Sequence, residues 1–408
     1  MTKRNACIIA GGQDKWGVRE AHLVDLFQEA AKACLDDLPT LKPSDIDGLI
    51  VANSYGGRCS FQVNIAPVIA ERCGVKPTSI CTRVDVLCAG GSTGIILAKG
   101  LVESGNADVV MVAGGEKLYT PQKWEVFYSE LASVDHDWDS ANGMGLPPPF
   151  FALTAQEHMM HYGSTKEQLA AVSVANYNYA VTNPVAQMQK ALTLEEAMNA
   201  PVVVPPLTLY DCCPITDGAA ACIITTDEIA KKFTDRPLVY LRGTAQVSLN
   251  SVSANFPGVH LADWKHTRMA AEKAYARAKV GPGDIKVAQT HDCFTISEVI
   301  EVEELGFCKK GEGGEFCGSG QINIGGKVPV NTDGGLLAVG HPFGATGIRQ
   351  GIEIMKQLQE RARHQVKDAD IGLTHNLSGA NAEHTIVIYG REPVKYGGKY
   401  GCSGNPGT

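Results

Sequence analysis

Short apolar runs alternate along the first third of the chain with longer segments in which apolar residues recur every three to four positions. The runs predict strands at residues 6–10, 46–52, 79–86 and 107–112, and the periodic segments predict helices at 20–34, 61–73 and 91–102. Strands without polar alternation are typical of a parallel sheet that helices cover on both faces. The pattern therefore predicts an α/β fold for this part of the chain.

The pattern changes at about residue 117, where aromatic residues and three consecutive prolines replace the alternation. It resumes at residues 219–225, and after residue 236 the same order of elements starts again. Two halves with one order of elements indicate an internal duplication. We therefore predict a first half at residues 1–116 and 216–235, an inserted loop domain at 117–215, a second half at 236–391 and a flexible tail at 392–408.

Composition limits the classes of function. The 408 residues are 44% hydrophobic, as in ordinary globular enzymes, and the net charge of -8 argues against nucleic-acid binding, which needs clustered Lys and Arg. The amino-terminal apolar run is too short for a signal peptide or a membrane span. Thirteen cysteines without any CxxC pair are typical of free thiols in a reducing cytoplasm. We therefore expect a cytoplasmic protein with no metal site and no membrane segment.

Cys88 is the first candidate for chemistry. It follows the third predicted strand and precedes a helix start made of small residues. Backbone N–H groups and the helix dipole at such a position favour the thiolate, and can lower the pKa of a cysteine from about 8.5 to roughly 3.5–7.5. The alternative is a packing cysteine at a tight turn between strand and helix.

Two further strand ends carry reactive side chains. His291 and Cys293 lie two residues apart after a predicted strand, where the imidazole could stabilise an oxyanion and the thiol could carry a proton. His341 lies in a glycine-rich turn that opens a long helix and could be the general base for a thiol. Each group could instead serve structure, by closing a strand or capping a helix. Together they supply a nucleophile, a base and an oxyanion donor.

These motifs resemble the thiolase family, specifically its sterol carrier protein type. The resemblance is carried by Cys88 in its small-residue helix start, by residues 291–294 (His-Asp-Cys-Phe) and by residues 340–347 (Gly-His-Pro-Phe-Gly-Ala-Thr-Gly). It leaves out only residues 126–146 and the tail. It implies the thiolase fold, in which two duplicated α/β halves form a five-layered αβαβα core with an inserted loop domain.

The resemblance also implies a role for each site residue. Cys88 would be the acylated nucleophile, His341 its base, His291 the group that holds the thioester oxygen, Cys293 the proton carrier at the α-carbon, and Gly379 part of a second oxyanion hole with the Cys88 N–H. The implied activity is cleavage of a 3-oxoacyl-CoA with CoA, or the reverse Claisen condensation. Coenzyme A would be a substrate, and no cofactor or metal is implied.

The substrate and the partners are less closely defined. Phe150 and Phe151 fall where many short-chain thiolases carry a His-Met pair, and with Phe294 and Gly344 they are expected to line the acyl site. This favours a bulky or aromatic acyl group, for example in an aroyl-succinyl-CoA, unless the phenylalanines are only the core of the lobe. The resemblance implies a homodimer and a possible small zinc-ribbon/OB-fold partner. The alternative function is an acyltransferase or aldolase subunit of a multi-protein complex.

Overall fold

A computed structural model describes residues 4–121, 124–248 and 260–395. In these residues the strands are β1 (Ala6–Gln13), β2 (Gly48–Ala52), β3 (Ile80–Val84), β4 (Val109–Glu116), β5 (Val202–Val204), β6 (Leu207–Thr208), β7 (Gly218–Thr226), β8 (Val239–Ser248), β9 (Val287–Gln289), β10 (Ile371–Ser378) and β11 (Glu383–Gly390). The helices are α1 (Leu23–Asp37), α2 (Gly56–Cys59), α3 (Ile65–Arg72), α4 (Gly90–Ser104), α5 (Glu125–Glu130), α6 (Pro147–Tyr162), α7 (Lys166–Ala180), α8 (Leu194–Met198), α9 (Asp227–Ala230), α10 (Lys265–Ala278), α11 (Thr295–Glu304), α12 (Gly313–Gly318) and α13 (Phe343–Leu358). The predicted elements of both halves occur in the predicted order, with ends that differ by a few residues.

Nine of these strands form one sheet in the order β3-β2-β4-β7-β1-β8-β11-β10-β9. In the first half β2 runs parallel to β3 and β4, whereas β7 runs antiparallel to β4 and β1. In the second half β10 runs parallel to β9, whereas β11 runs antiparallel to β10 and β8. The halves therefore repeat one arrangement of strands, and β1 pairs with β8 where they join. This topology confirms the predicted duplication.

Helices α4 and α13 pack against each other, and both contact strands from the two halves of the sheet. Val110 of β4 belongs to one apolar cluster with Ile95 of α4 and Ile348 of α13. The next residue, Met111, points to the opposite face and belongs to a second cluster with Phe27 of α1. β4 is thus buried on both faces, as a continuous apolar run predicts. On the far side α10 packs against β8 and β11 and completes the five layers.

The segment between β4 and β7 forms the inserted lobe, and it is more helical than its sequence pattern indicates. Helices α6 and α7 span 16 and 15 residues. Their buried faces include His158, Ser173 and Asn176, so apolar residues do not form a continuous stripe. Two of these polar groups have partners in the second half: Nε2 of His158 lies 3.0 Å from a carboxylate oxygen of Glu303 in α11, and Nδ2 of Asn176 donates to Asp292 at 2.8 Å. Polar contacts therefore attach the lobe to the second half.

Three strand ends and one helix start meet at a single cavity. β3 leads into the turn of Cys88, β9 leads to His291, β10 leads to Gly379, and His341 precedes α13. All four residues line the cavity. Open α/β sheets place their sites at the carboxyl ends of strands in the same way.

Gly344, in the first turn of α13, lies against the backbone of two strands. A Cβ at Gly344 would lie 2.2 Å from the carbonyl oxygen of Ala52, and a Cβ at Gly114 would lie 2.0 Å from the carbonyl oxygen of Gly344. Gly344 is not among the residues that line the cavity. Strand backbone occupies the space next to its Cα, so Gly344 allows close packing, and its expected contact with substrate stays a prediction.

No helix in the described part of the chain is long and apolar enough to cross a membrane. The tail predicted at residues 392–408 falls mostly on residues 396–408, which lie outside the described residues, so its flexibility stays a prediction.

Replacement of Gly344 by alanine is expected to destabilise the protein by about 1–3 kcal/mol, because the added methyl group overlaps strand backbone that cannot move without distorting the sheet. Urea unfolding followed by circular dichroism measures the change. The matched control is Gly100→Ala in α4, where nothing lies within 4 Å of the added Cβ. That control should gain up to about 1 kcal/mol from helix propensity. Unchanged stability of Gly344→Ala would contradict the close packing of α13 on the sheet.

Candidate active site

Cys88 lies in a short 3₁₀ helix, Leu87–Ala89, that leads from β3 into α4. Leu87 has a φ of +43°, in the left-handed region, so the chain reverses sharply just before the cysteine. Gly91 follows in the first turn of α4, and a Cβ there would lie 2.7 Å from the carbonyl oxygen of Gly344. The small residues after Cys88 therefore allow α13 to approach. The thiol itself is partly buried at the cavity wall.

His341 reaches Cys88 from the second half of the chain. It lies between the short π-helix Gly335–Val339 and α13. Gly340 precedes it with a φ of +116°, and a Cβ there would lie 2.6 Å from Oγ1 of Thr216. The same Oγ1 accepts a hydrogen bond of 3.0 Å from the backbone N–H of His341. In this position Nε2 of His341 lies 3.2 Å from Sγ of Cys88.

The partner of its other ring nitrogen defines the tautomer of His341. Nδ1 lies 2.7 Å from Oγ1 of Thr346, and the Thr346 hydroxyl donates to the carbonyl oxygen of Pro342 at 3.2 Å. Because a hydroxyl has a single proton, Oγ1 accepts the proton of Nδ1–H. Nε2 therefore carries the lone pair, which accepts the proton of the Cys88 thiol.

Asn376 gives His291 the opposite tautomer. The Ser92 hydroxyl donates to Oδ1 of Asn376, which turns Nδ2 of the amide toward Nδ1 of His291 at 3.0 Å. The amide N–H donates to Nδ1, so the ring proton is on Nε2. Nε2 is buried and has no hydrogen-bond partner among the described residues. An N–H group in this state is suited to donate to an oxygen atom of a bound molecule.

Cys293 is the second thiol of this set on the cavity wall. Its Sγ lies 3.6 Å from Oγ of Ser297, and its carbonyl oxygen accepts a hydrogen bond of 2.9 Å from the backbone N–H of Cys213. Burial raises the pKa of Cys293 well above its usual value. The thiol therefore keeps its proton and can donate it to a carbanion.

Asp292 connects the His291 loop to the turn that carries His341. Its carboxylate accepts hydrogen bonds of 2.8 and 3.1 Å from two backbone N–H groups of the π-helix before α13. Nδ2 of Asn176 in the lobe donates to the same carboxylate at 2.8 Å. One buried side chain thus fixes three segments around the cavity.

Burial keeps the Cys88 thiol and both imidazoles neutral. It raises the pKa of Cys88 well above its usual value, and the carboxyl of Glu130 adds to the rise. It lowers the pKa of His341 to about 3 and that of His291 well below its usual value. The expectation that the helix start lowers the pKa of Cys88 is therefore wrong. Desolvation outweighs the helix dipole, whose effect is typically about 0.3–1 kcal/mol.

The cavity beside Cys88 has a volume of about 180 Å³ and mostly apolar walls. Phe151 and Phe294 line it, and their rings stack with centroids 4.3 Å apart. Gly379, with a φ of +59°, lines it at the end of β10. Phe150 lies against Phe151 edge to face at 5.1 Å and does not line the cavity. Its neighbour Phe151 takes the position at the wall, and the expected contact of Phe150 with an acyl group stays a prediction.

The sequence analysis does not identify three residues of the site, namely Asn376, Tyr55 and Glu130. Asn376 lies near the end of β10, a buried strand of the second half, and a polar residue near a strand end is the same kind of signal that marks His291. Tyr55 and Glu130 line the cavity as well. Glu130 falls in the segment outside the family resemblance, so no motif marks it.

Two groups of metal-ligating side chains each have their ligand atoms within 4.8 Å of one another: Cys88, His291 and His341 at the cavity, and Glu157, His161 and His260 toward the surface. In the first group Nε2 of His291 carries a proton and Nε2 of His341 accepts the thiol proton. With these tautomers, a hydrogen-bonded pair of thiol and imidazole explains the short distance between Cys88 and His341 without a metal ion. The expected absence of a metal site stays a prediction.

Known proteins resemble the chain over nearly its whole length. Residues 6–228 match the family model for the thiolase N-terminal domain, and residues 259–391 match the thiolase C-terminal domain-like model. The acetyl-CoA acetyltransferase of Methanothermobacter thermautotrophicus is 38% identical over 397 residues, which is 95% of this chain and 100% of that protein. Sterol carrier protein 2 of Bos taurus is 31% identical over 400 residues, 95% of this chain and 72% of that protein. A solved structure described as an Ltp2-ChsH2(DUF35) aldolase superposes with a TM-score of 0.80 at 26% identity, covering 95% of this chain and 97% of that one.

Alkylation of Cys88 by iodoacetamide is expected to be slow at pH 7 and to accelerate about tenfold per pH unit to at least pH 9, because only the thiolate reacts. Burial raises the pKa of the thiol, so the thiolate fraction still increases in this range. Mass spectrometry of the Cys88 peptide gives the rate, with the exposed Cys81 as internal reference for the reagent. A rate that becomes constant below pH 8 would instead indicate a thiolate–imidazolium pair.

Proposed function

Because the chain belongs to the thiolase family and is an acyl-CoA acyltransferase, we propose that it cleaves a 3-oxoacyl-CoA with CoA, or catalyses the reverse condensation, through an acyl group on Cys88. The observation that carries the proposal is the 3.2 Å contact between Nε2 of His341 and Sγ of Cys88 at the cavity wall. A neutral imidazole that accepts from a neutral thiol is a general base in contact with its nucleophile.

The first proposed step forms the acyl-enzyme. Nε2 of His341 takes the thiol proton while Sγ of Cys88 attacks the 3-oxo carbon. The bond between that carbon and the α-carbon breaks, and its electron pair passes to the thioester part as an enolate. Thr346 Oγ1 accepts from Nδ1–H of the ring throughout. Since burial disfavours the imidazolium, proton transfer is expected only as the substrate is attacked.

His291 and Cys293 are proposed to act on the enolate. Nε2–H of His291 donates to the enolate oxygen, and a positioned donor of this kind typically lowers the barrier by about 3–4 kcal/mol. The Cys293 thiol protonates the α-carbon, and the thioester part leaves as acetyl-CoA or its α-substituted analogue, while the shortened acyl group stays on Cys88. Cys293 is then a thiolate.

The second half-reaction restores both cysteines. The Cys293 thiolate takes the proton of the incoming CoA thiol, and the CoA sulfur attacks the acyl carbonyl carbon on Cys88. The Cys88 sulfur leaves and takes back the proton held by His341. The N–H groups of Cys88 and Gly379 are proposed to hold the carbonyl oxygen in this step.

The acyl group is proposed to be bulky or aromatic, as in an aroyl-succinyl-CoA. The support is the stacked pair Phe151 and Phe294 at the wall of an apolar cavity of about 180 Å³. An apolar cavity of about 150 Å³ is large enough to bind benzene. An acetyl group alone would leave most of the volume unfilled, which costs dispersion contacts.

A subunit of an acyltransferase or aldolase complex is the second candidate. Its support is the likeness to the Ltp2-ChsH2(DUF35) aldolase, whose description includes a DUF35 component. Aldol cleavage releases a free carbonyl compound and needs no acyl–sulfur bond. The contact between Cys88 and His341 therefore favours the thiolase reaction.

We further propose that the chain forms a homodimer through β3 and binds a small zinc-ribbon/OB-fold partner. β3 is an edge strand of the sheet and is only partly buried, and such edges are suited to pair with another chain. Trp124, Phe127 and Tyr128 are about half exposed in and next to α5, and exposed aromatic groups of this kind often mark an interface. CoA and acyl-CoA are the proposed small-molecule partners.

Replacement of Cys88 by serine is expected to lower turnover by at least about a thousandfold, because removal of a covalent nucleophile disables the residues that act with it. The melting temperature should change little. Incubation of the wild type with acetyl-CoA and benzoyl-CoA, followed by mass spectrometry, should show the corresponding acyl group on Cys88. The matched control is Cys308→Ser, a partly buried thiol of the second half that lies outside both β3 and the cavity lining. Near wild-type turnover of Cys88→Ser would exclude covalent catalysis at this residue.

The chain alone is expected to be a dimer in native mass spectrometry, and a larger complex is expected when the zinc-ribbon/OB-fold product of a neighbouring gene is co-expressed. Trp124→Ser and Tyr128→Ser should weaken the larger complex and leave the dimer intact, because these side chains lie outside β3. A monomer that binds no such protein would contradict both interfaces.

A further inference from the structure

One carboxyl group on the cavity wall has no part in the proposed reaction. Glu130 is the last residue of α5 and lines the cavity with Cys88. Its carboxylate oxygens take part in no hydrogen bond or ion pair with the residues that the structure describes. The surrounding wall is apolar and includes Leu118, Val126 and Leu146.

Tyr55 contributes a second unpartnered polar group to the same cavity. Its hydroxyl is buried without a hydrogen-bond partner in the described part of the chain, and its ring packs edge to face on Phe343 at 5.3 Å. Burial raises the pKa of Tyr55, and Glu130 is the charge that adds most to this rise. Glu130 acts on Cys88 in the same way. Glu130, Tyr55 and Cys88 line the same cavity, and Tyr55 belongs to one apolar cluster with Val126 of α5, against which Cys88 packs.

Two polar groups that lack hydrogen-bond partners in an apolar cavity indicate a ligand site. The Tyr55 hydroxyl is buried without a partner, and buried polar groups in proteins are almost always paired. The half-buried Glu130 carboxyl opens onto the same cavity. Ligand sites are the common exception, because a few convergent polar groups in an apolar pocket fix the orientation of the bound molecule. Phe151 and Phe294 could bind a hydrocarbon group without either polar residue.

The charge of the cavity limits what this ligand group can be. Burial raises the pKa of Glu130 to about 8, so at neutral pH the carboxyl is protonated and can donate. The Tyr55 hydroxyl is a second donor. No Lys or Arg is found among the described residues that line the cavity, so an ionised group would be buried without a counter-ion. Two neutral donors fit an acceptor oxygen without charge.

We propose that Glu130 and Tyr55 donate hydrogen bonds to a neutral acceptor oxygen, a keto or ether oxygen, on the acyl group bound beside Cys88. They would thereby select oxygen-bearing acyl groups over hydrocarbon ones. The proposal rests on the proposed function in one respect, namely that the acyl group occupies this cavity. It involves no covalent step.

Binding of acyl-CoA products tests the proposal apart from catalysis. Calorimetry is performed with hexanoyl-CoA, 4-oxohexanoyl-CoA, 5-oxohexanoyl-CoA and adipoyl-CoA, in a Cys88→Ala background that prevents acyl transfer. At pH 7 at least one oxo compound should bind about ten times more tightly than hexanoyl-CoA, the usual effect of a satisfied buried hydrogen bond. Adipoyl-CoA, which carries a carboxylate, should bind more weakly than the oxo compound.

Variants assign the preference to the two side chains. Glu130→Leu and Tyr55→Phe should each reduce the preference for the oxo compound severalfold, while hexanoyl-CoA binds as before or better. The matched control is Glu125→Gln, on the same helix but outside the cavity lining, which should keep the full preference.

The pH dependence distinguishes donation from a structural effect. The pKa of Glu130 is raised, so its donor is present below about pH 8 and is lost as the pH rises through that value. The preference should fall accordingly between pH 6.5 and 9.5, and it should stay constant in Glu130→Gln, whose amide donates but does not titrate.

The other titratable groups near Glu130 either do not titrate between pH 6.5 and 9.5 or are present both in the protein with Glu130 and in Glu130→Gln. In the cavity these are Tyr55, Cys88, Cys213 and Cys293, whose pKa values burial raises, and His291 and His341, whose pKa values it lowers. Helix α2, which packs on α5, carries Arg58 and Cys59, and burial raises the pKa of Cys59 to about 11. Glu116, with a pKa near 8 from burial, is hydrogen-bonded behind the cavity and is unchanged in Glu130→Gln.

Equal binding of hexanoyl-CoA and both oxo compounds would overturn the proposal, as would a preference for adipoyl-CoA or a preference that Glu130→Leu leaves intact. An oxo preference in the Cys88→Ala background supports it even if the enzyme with Cys88 proves unable to cleave 3-oxoacyl-CoA. The selectivity claim and the proposed function can therefore fail separately.

Discussion

The hydrogen bond between Cys88 and His341 joins groups 253 residues apart, and it exists only because α4 and α13 pack against each other. Cys88 lies just before α4 and His341 just before α13. Where the two helices start, Gly91 and Gly344 have no room for a Cβ. The same close approach of backbones therefore builds the centre of the core and brings the nucleophile to its base.

Burial sets the electrostatics of the cavity. Thiols and imidazoles are all neutral there, since desolvation penalises their charged forms. Hydrogen bonds then decide what each ring can do. Thr346 leaves a lone pair on Nε2 of His341, and Asn376 leaves a proton on Nε2 of His291. The rings of the two histidines lie 4.8 Å apart, yet Nε2 of His341 accepts a hydrogen bond and Nε2 of His291 can donate one.

The inserted lobe supplies much of the wall that an acyl group would touch. Val126, Glu130 and Phe151 come from the lobe, whereas Cys88 and His341 come from the two halves. Asn176 of the lobe is hydrogen-bonded to Asp292 beside the catalytic loops, so the wall and the reactive groups are held in one arrangement. Changes in the lobe can therefore alter the acyl group that fits without altering the groups that act on it.

The sequence by itself determined the α/β alternation and the duplication of the halves, and it marked Cys88, His291, Cys293 and His341 as candidates, which the structure brings to one cavity. These features are local, because a buried strand, a helix start and a reactive side chain after a strand end are all visible in neighbouring residues. Only the tertiary structure decided the tautomers, the neutral state of Cys88, the packing role of Gly344 and the presence of Tyr55 and Glu130 at the cavity. Desolvation, hydrogen-bond partners and cavity walls depend on residues far apart in the chain, and no local pattern records them.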